Sequence, residues 1–98
     1  MASDDERRRW TFLTNHSHVL LCIAADPGAR GRDIAERVGI TERATQSIIA
    51  DLIEAGYLTR QRIGRRNEYE IRQDLPLRHP IEQNHQVAEL PGFVQHPR

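Results

Sequence analysis

Four arginines lie in one short stretch of the chain, between Thr59 and Asn67, with no acidic residue among them. They are Arg60, Arg62, Arg65 and Arg66. The guanidinium group is a permanently charged planar fork that pairs bidentately with phosphate oxygens and with the O6 and N7 atoms of guanine. The composition of this stretch therefore favours the binding of a phosphate-bearing partner.

A second group of polar residues lies on a predicted helix from Thr41 to Ala55. Its inward residues recur at spacings of three and four, and they are Thr45, Ile48, Ile49 and Leu52. Because each residue of a helix advances by 100°, the opposite face near the N-terminus carries four polar residues. These are Glu42, Arg43, Gln46 and Ser47. Arginine pairs with guanine, glutamine with adenine, glutamate accepts from cytosine N4, and serine is short enough for a base or a phosphate.

Thr41 has two interpretations at the start of this helix, and Glu42 has three. Thr41 is a good N-cap, and its hydroxyl would also lie near a phosphate held at the positive end of the helix. Glu42 is either a base contact, a stabiliser of the first helical turn, or a partner of Arg43 or Arg66 in the free protein. The inward Thr45 hydroxyl needs an acceptor, such as the carbonyl one turn back.

The remaining elements must position these two groups. A first helix is predicted after an N-cap at Thr14 or Asn15, ending at Asp26-Pro27-Gly28, and a short second helix from Arg32 to Val38. The inward stripe predicted for the first helix comprises Trp10, Leu13, His18, Leu21, Cys22 and Ala25. Arg30 and Arg32, at the start of the second helix, are placed to contact a phosphate.

Beyond Gly56 the hydrophobic period falls to two, which predicts a β-hairpin. Its strands are predicted at Tyr57 to Ile63 and Glu68 to Arg72, joined by a basic loop at Gly64-Arg65-Arg66-Asn67. A further short helix is predicted from Ile81 to Leu90, with Ile81, His85, Ala88 and either Val87 or Leu90 facing inward.

These elements predict an α+β fold, mainly α: a winged helix-turn-helix with a three-helix core, a β-hairpin wing and a short C-terminal helix. The expected organisation is an N-terminal arm at 1–9, a DNA-binding domain at 10–74, and an extension at 75–98 that could serve dimerisation. The second helix of the helix-turn-helix unit, at 41–55, would enter the major groove, and the loop at 64–67 would lie on the backbone or in the minor groove.

The stretch GRDIAERVGITERATQSIIADLIEAGYLTRQRIGRRNEYEI resembles the winged helix-turn-helix core of MarR/ArsR-like transcriptional regulators. The resemblance is most specific in DLIEAGYLTRQRIGRRNEYEI, where the helix ends and a strand leads into the basic wing. It implies a regulator that binds palindromic double-stranded DNA as a homodimer. Full-length MarR proteins have long helices flanking this core for dimerisation, whereas here the first helix and the short segment from Ile81 to Leu90 are available, so the dimer is an expectation from the resemblance.

Composition limits the other classes of function. The 14 basic residues, all arginine, balance 14 acidic ones, so the net charge of zero gives no support for DNA binding by itself. That balance keeps an alternative open, a winged helix that binds another protein and no DNA. Cys22 is single and is expected to be a buried apolar side chain.

Further classes are disfavoured by what the sequence lacks. The longest uncharged apolar run, Val19 to Ala25, is shorter than a membrane span, so we expect a cytoplasmic protein with no membrane partner. No nucleophile has an evident base and no phosphate-binding glycine loop occurs, so neither an enzyme nor a cofactor is expected. The chain has five histidines, and His85 could share a helix face with Glu82 and Glu89, which raises metal sensing as an alternative. The spacing of the histidines does not match a metal-ligand motif, so no metal site is predicted.

Overall fold

The computed structural model describes residues 10–90, in which three α-helices precede a two-stranded antiparallel sheet. Helix α1 spans Asn15–Ala25 and is capped by Thr14, whose side chain accepts a hydrogen bond from the Ser17 N–H. The predicted ends of α1 are confirmed. The arm expected at 1–9 lies outside the described residues.

Helices α2 and α3 form the helix-turn-helix pair. Helix α2 spans Gly31–Val38 and ends at Gly39, which has the left-handed φ of 88° that a glycine adopts without strain. Helix α3 spans Glu42–Glu54 and is capped by Thr41. Only Ile40 separates the C-cap of α2, Gly39, from the N-cap of α3, Thr41, so the turn is tight, as predicted.

Strands β1 (Leu58–Ile63) and β2 (Arg66–Ile71) form the hairpin that we call the wing, together with the turn between them. Leu58 pairs with Ile71 and Arg60 with Tyr69. Leu58 and Tyr69 are buried, and the rest of both strands is half-buried or exposed. The base of the wing therefore packs on the helices, whereas its outer part extends into solvent.

One hydrophobic core lies among the three helices and the base of the wing. Its largest fully buried side chains are Val19, Ile23, Ile34, Thr45, Ile49, Leu58 and Val87. Cys22 is also buried and makes no disulfide. The buried residues of α3 are the predicted ones: Thr45, Ile48, Ile49 and Leu52.

The inward stripe predicted for α1 was partly wrong. Trp10 is 68% exposed, Ala25 is exposed, and the buried residues are Val19, Leu20, Cys22 and Ile23. The error has a physical reason: almost every residue from Val19 to Ala25 is apolar, so spacing alone does not distinguish the face that packs.

The predicted C-terminal helix at 81–90 was also wrong. The segment after β2 folds back on itself, with a backbone bridge between Pro76 and Gln86, and only Val87–Glu89 form one turn of 3-10 helix. Ile81 is 83% exposed and His85 is exposed, whereas Val87 and Leu90 are buried. The Leu77 N–H donates to the His85 carbonyl, a long-range bond that is incompatible with a helix through His85.

Candidate nucleic-acid interface

The N-terminal turn of α3 is held by two threonines. The Thr41 Oγ1 atom accepts a hydrogen bond from the Ala44 N–H at 3.0 Å, which confirms its role as N-cap. The Thr45 hydroxyl is fully buried and donates to the Thr41 carbonyl at 3.0 Å, the acceptor one turn back that the sequence required. This turn is therefore rigidly connected to the core.

The outer face of α3 is open to solvent. Glu42, Arg43, Gln46 and Ser47 are all exposed, as helical periodicity predicted. Thr41, immediately before them, is exposed as well. One face of α3 thus carries four side chains that can hydrogen-bond to base edges, and the opposite face is buried in the core.

Gln46 lies directly over the start of α2. A methyl group built on Gly31 would fall 2.3 Å from the Gln46 Nε2 atom, so the absence of a side chain at Gly31 makes room for this amide. Arg30 and Arg32 flank Gly31, and both are exposed. This contact between Gln46 and the start of α2 could not be predicted from the sequence, because it depends on how the two helices cross.

The tip of the wing is shorter than predicted. Arg66 pairs with Ile63 and Asn67 with Arg62, so Arg66 and Asn67 belong to β2 and the turn consists of Gly64 and Arg65. Gly64 has a φ of 65°, which supplies the positive φ that tight hairpins need. Arg65 is therefore the arginine at the apex of the wing.

All of the wing residues in the predicted site are exposed, namely Arg60, Arg62, Arg65, Arg66 and Asn67. Two of these arginines nevertheless bond to backbone carbonyls of the protein. The Arg62 Nε atom donates to the Gly64 carbonyl at 3.3 Å, within the hairpin. An Arg66 terminal nitrogen donates to the Gly28 carbonyl at 3.1 Å, in the turn between α1 and α2.

Residues 28–31 lie between the wing and the outer face of α3, and they contact both. Gly28 receives the bond from Arg66, and Gly31 faces Gln46. Three peptide units separate these two glycines, so their Cα atoms are at most about 11 Å apart. The structure thereby brings Arg66, Arg30 and Gln46 to the same side of the domain, although they come from three different elements.

Glu42 pairs with neither Arg43 nor Arg66 among the described residues. The ion pairs of this part of the chain are His16–Asp51, Arg72–Asp74 and His85–Glu89. In the Arg72–Asp74 pair, the hydrogen bond from the Arg72 guanidinium lowers the pKa of the Asp74 carboxyl. Glu42 remains in the first turn of α3, where a carboxylate favours the helix dipole.

The histidines within residues 10–90 serve structural contacts. The His16 Nε2 atom lies 3.0 Å from the Asp51 Oδ2 atom and connects α1 with α3, and the His85 Nδ1 atom lies 2.7 Å from the Glu89 Oε1 atom. No group of three potential metal ligands occurs in this part of the chain. His96 lies outside the described residues.

A cavity of about 550 Å³ lies away from this surface, between α1, the C-terminal half of α3 and the segment after the wing. Its floor is apolar, and three carboxylates line it: Asp51, Glu54 and Glu82. Asp51 and Glu54 are nine and twelve residues along α3 from Glu42, which corresponds to about 14 and 18 Å at 1.5 Å per residue. Two of the three acidic residues of α3, Asp51 and Glu54, therefore lie toward its C-terminal end, whereas Glu42 lies in the first turn beside Arg43.

Comparison with known proteins agrees with this geometry. Residues 13–59 match the family model described as "Winged helix-turn-helix DNA-binding". Residues 13–59 thus belong to a domain with the winged helix-turn-helix fold. The match includes α1, the helix-turn-helix pair and the beginning of β1. No curated protein matches the chain.

Two solved structures of regulators share the fold. One is the PcaV transcriptional regulator from Streptomyces coelicolor, solved with its natural ligand, which is 27% identical with a TM-score of 0.53. The other is a MarR family protein of Mycobacterium tuberculosis in complex with salicylic acid, 23% identical with a TM-score of 0.51. Each alignment covers 61% of this chain, and 45% and 47% of the respective relatives. The chain thus spans less than half the length of either regulator.

No helix within residues 10–90 has the length and apolar character needed to cross a membrane.

Proposed function

We propose that this protein is a sequence-specific regulator of transcription that binds double-stranded DNA. Helix α3 enters the major groove, where Arg43 and Gln46 contact base edges. Ser47, Thr41 and Glu42 lie beside them on the same surface. The wing contacts the DNA backbone or the minor groove through Arg65, with Arg60 close by on β1.

The observation that supports this proposal is that the outer face of α3 and the basic wing contact the same short turn. The turn at residues 28–31 contacts both Gln46 of α3 and Arg66 of the wing. A duplex seated on α3 would therefore also meet the wing and the exposed Arg30 and Arg32. A protein-binding winged helix has no requirement for arginine-rich and base-pairing side chains on one side of the domain.

We also propose that two copies bind a palindromic site, as the resemblance to MarR regulators implies. Two recognition helices related by a two-fold axis contact half-sites about one helical turn apart, roughly 34–36 Å. Residues 75–98 are the extension that we propose for this contact. A selection of bound duplexes from a random pool would recover two inverted half-sites, and the mass of the complex would show two protein chains.

The test of DNA binding is the salt dependence of affinity. Fluorescence anisotropy with the selected duplex should show log Kd rising linearly with log salt concentration, because arginines displace counterions from phosphates. The Arg65→Ala variant should bind all sequences more weakly and lower the slope by about 0.9 per protomer. Arg43→Ala and Gln46→Ala should chiefly lose the preference for the selected sequence, by about 1–3 kcal/mol each.

Arg78→Ala provides the matched control, since Arg78 is an exposed arginine that lines the cavity between α1 and the C-terminal half of α3. Its removal subtracts the same charge but should leave the salt slope unchanged. If Arg65→Ala and Arg78→Ala lowered the salt slope equally, DNA binding would depend on the total charge of the protein and not on a contact by Arg65. The absence of any salt-dependent binding at low ionic strength would favour the alternative, a module that binds another protein.

A further inference from the structure

The wing is joined to the helix-turn-helix by two hydrogen bonds to adjacent carbonyls of the turn between α1 and α2. The Tyr69 N–H donates to the Pro27 carbonyl at 3.1 Å, and the Arg66 guanidinium donates to the Gly28 carbonyl at 3.1 Å. We call these four residues the wing anchor.

The turn itself is held in a single conformation. The Asp26 carboxylate accepts from the Gly28 N–H at 3.1 Å, and the Asp26 carbonyl accepts from the Ala29 N–H at 3.0 Å. The Pro27 ring fixes its own φ, which further restricts the turn. The acceptors of the wing anchor are thus presented by a stiff segment, so a bond to them defines the direction of the wing.

The two bonds of the wing anchor differ in what they control. Tyr69 is buried at the base of the wing, and its bond fixes the base to the turn. Arg66 pairs with Ile63 directly beside the Gly64–Arg65 turn, so its bond acts at the outer end of a hairpin that is otherwise exposed. The outer end is where a two-stranded hairpin with little packing has the greatest freedom.

We infer that Arg66 is a positioning residue: its bond to Gly28 orients the wing so that Arg65, at the apex, meets the phosphates of DNA seated on α3. This inference rests on the proposed DNA-binding function. It divides the wing arginines by role. Arg66 and Arg62 bind backbone carbonyls of the protein, and Arg65 at the apex is the one directed to the nucleic acid.

The first experiment needs no DNA. Amide hydrogen exchange by NMR should show the Tyr69 N–H exchanging about five-fold faster in Arg66→Ala, the effect of losing about 1 kcal/mol of hydrogen bonding. Arg65→Ala is the matched control, because it removes the neighbouring arginine and should leave Tyr69 protection unchanged. The Ile49 amide, within the buried stripe of α3, reports global unfolding and corrects for it. Equal Tyr69 protection in both variants and the wild type would overturn the inference.

The second experiment is a double-mutant cycle on the selected duplex. If Arg66 acts through Arg65, then Arg65→Ala and the double variant should lower the salt slope equally, by about 0.9 per protomer. Two independent phosphate contacts would instead give about 1.8 in the double variant. That additive result would make Arg66 a direct DNA contact and refute the positioning role.

The two experiments also separate this inference from the proposed function. If the wild-type protein fails to bind any duplex, the proposed function is refuted and with it the role of Arg66 toward DNA. The exchange measurement would still establish whether Arg66 holds the wing in the free protein.

Discussion

Replacing Thr45 by valine should change the stability of the protein little, although Thr45 is the buried polar residue of the described core. Its hydroxyl and its own N–H both donate to the Thr41 carbonyl, each at 3.0 Å. Removal of the hydroxyl therefore leaves that carbonyl with a donor. Since no buried group loses its only partner, the cost is limited to the net value of one hydrogen bond, about 1 kcal/mol.

The valine methyl group offsets that cost. Burial of one methyl contributes roughly 0.8 kcal/mol, and threonine and valine have similar helix propensities. The free energy of unfolding of Thr45→Val should thus lie within about 1 kcal/mol of the wild type. Thr45→Ser keeps the hydroxyl but deletes the methyl, and should lose about 1 kcal/mol by analogy with Ile→Val deletions.

Urea denaturation of both variants at one temperature measures these differences, provided that the m-values agree. The valine variant is expected to be close to the wild type in stability, and the serine variant below it. A loss of more than about 2 kcal/mol in Thr45→Val would refute the reasoning. It would mean that the hydroxyl supports the first turn of α3 in a way that the Thr45 N–H does not replace.

Three further predictions concern single positions. Thr41→Ala should destabilise the protein by about 1 kcal/mol through loss of the N-cap, and Thr41→Ser should retain most of it, as thermal unfolding would show. Gly31→Ala should displace the Gln46 amide, because the new Cβ would lie 2.3 Å from its nitrogen; selection from random duplexes should show an altered base preference without loss of stability. The backbone N–H of Gln86 lowers the pKa of Glu89, with His85 contributing further. The stability that this carboxylate contributes is thus present above its unfolded pKa and is lost as the pH falls through the lower folded value, which NMR of the Gln86 amide should follow; Glu89→Gln should abolish that transition.

Helix α3 and its outward face could be predicted because every signal that defines them is local. Thr41 supplies the cap, the inward stripe has a clear helical period, and Gly56 follows the helix end. The period places Arg43 and Gln46 outward without any knowledge of the other elements. Local signals of this kind are the part of a fold that one sequence carries most directly.

The segment after the wing shows where local signals fail. The spacing of Ile81, His85 and Ala88 resembles a helical face, yet the chain bends back so that Pro76 pairs with Gln86. The Tyr57 hydroxyl donates to the Pro76 carbonyl and fixes this bend from the far side of the core. Neither contact has a signature in the segment itself, so periodicity predicted the wrong structure there.

The contact between Arg66 and Gly28 could not be predicted for the same reason. The arginine cluster predicted a basic wing, and position within the cluster made Arg66 equivalent to Arg65. Its acceptor, the Gly28 carbonyl, lies 38 residues earlier in the chain. The predicted loop had four residues, Gly64 to Asn67, which would also have placed Arg66 in the turn and not in β2.

The distribution of charge within the domain reconciles a net charge of zero with the proposed binding of a polyanion. Acidic Asp51 and Glu54 lie at the C-terminal end of α3 beside the cavity, while Arg43 lies in its first turn. At an ionic strength of 0.15 M the Debye length is about 8 Å, shorter than the roughly 14 Å between these ends of the helix. The Asp51 and Glu54 carboxylates are consequently screened from a duplex at the N-terminal end, so the local field there is set by Glu42, Arg43 and the exposed arginines beside α2 and on the wing. Net charge, which sums over both ends, is the wrong quantity by which to judge this domain.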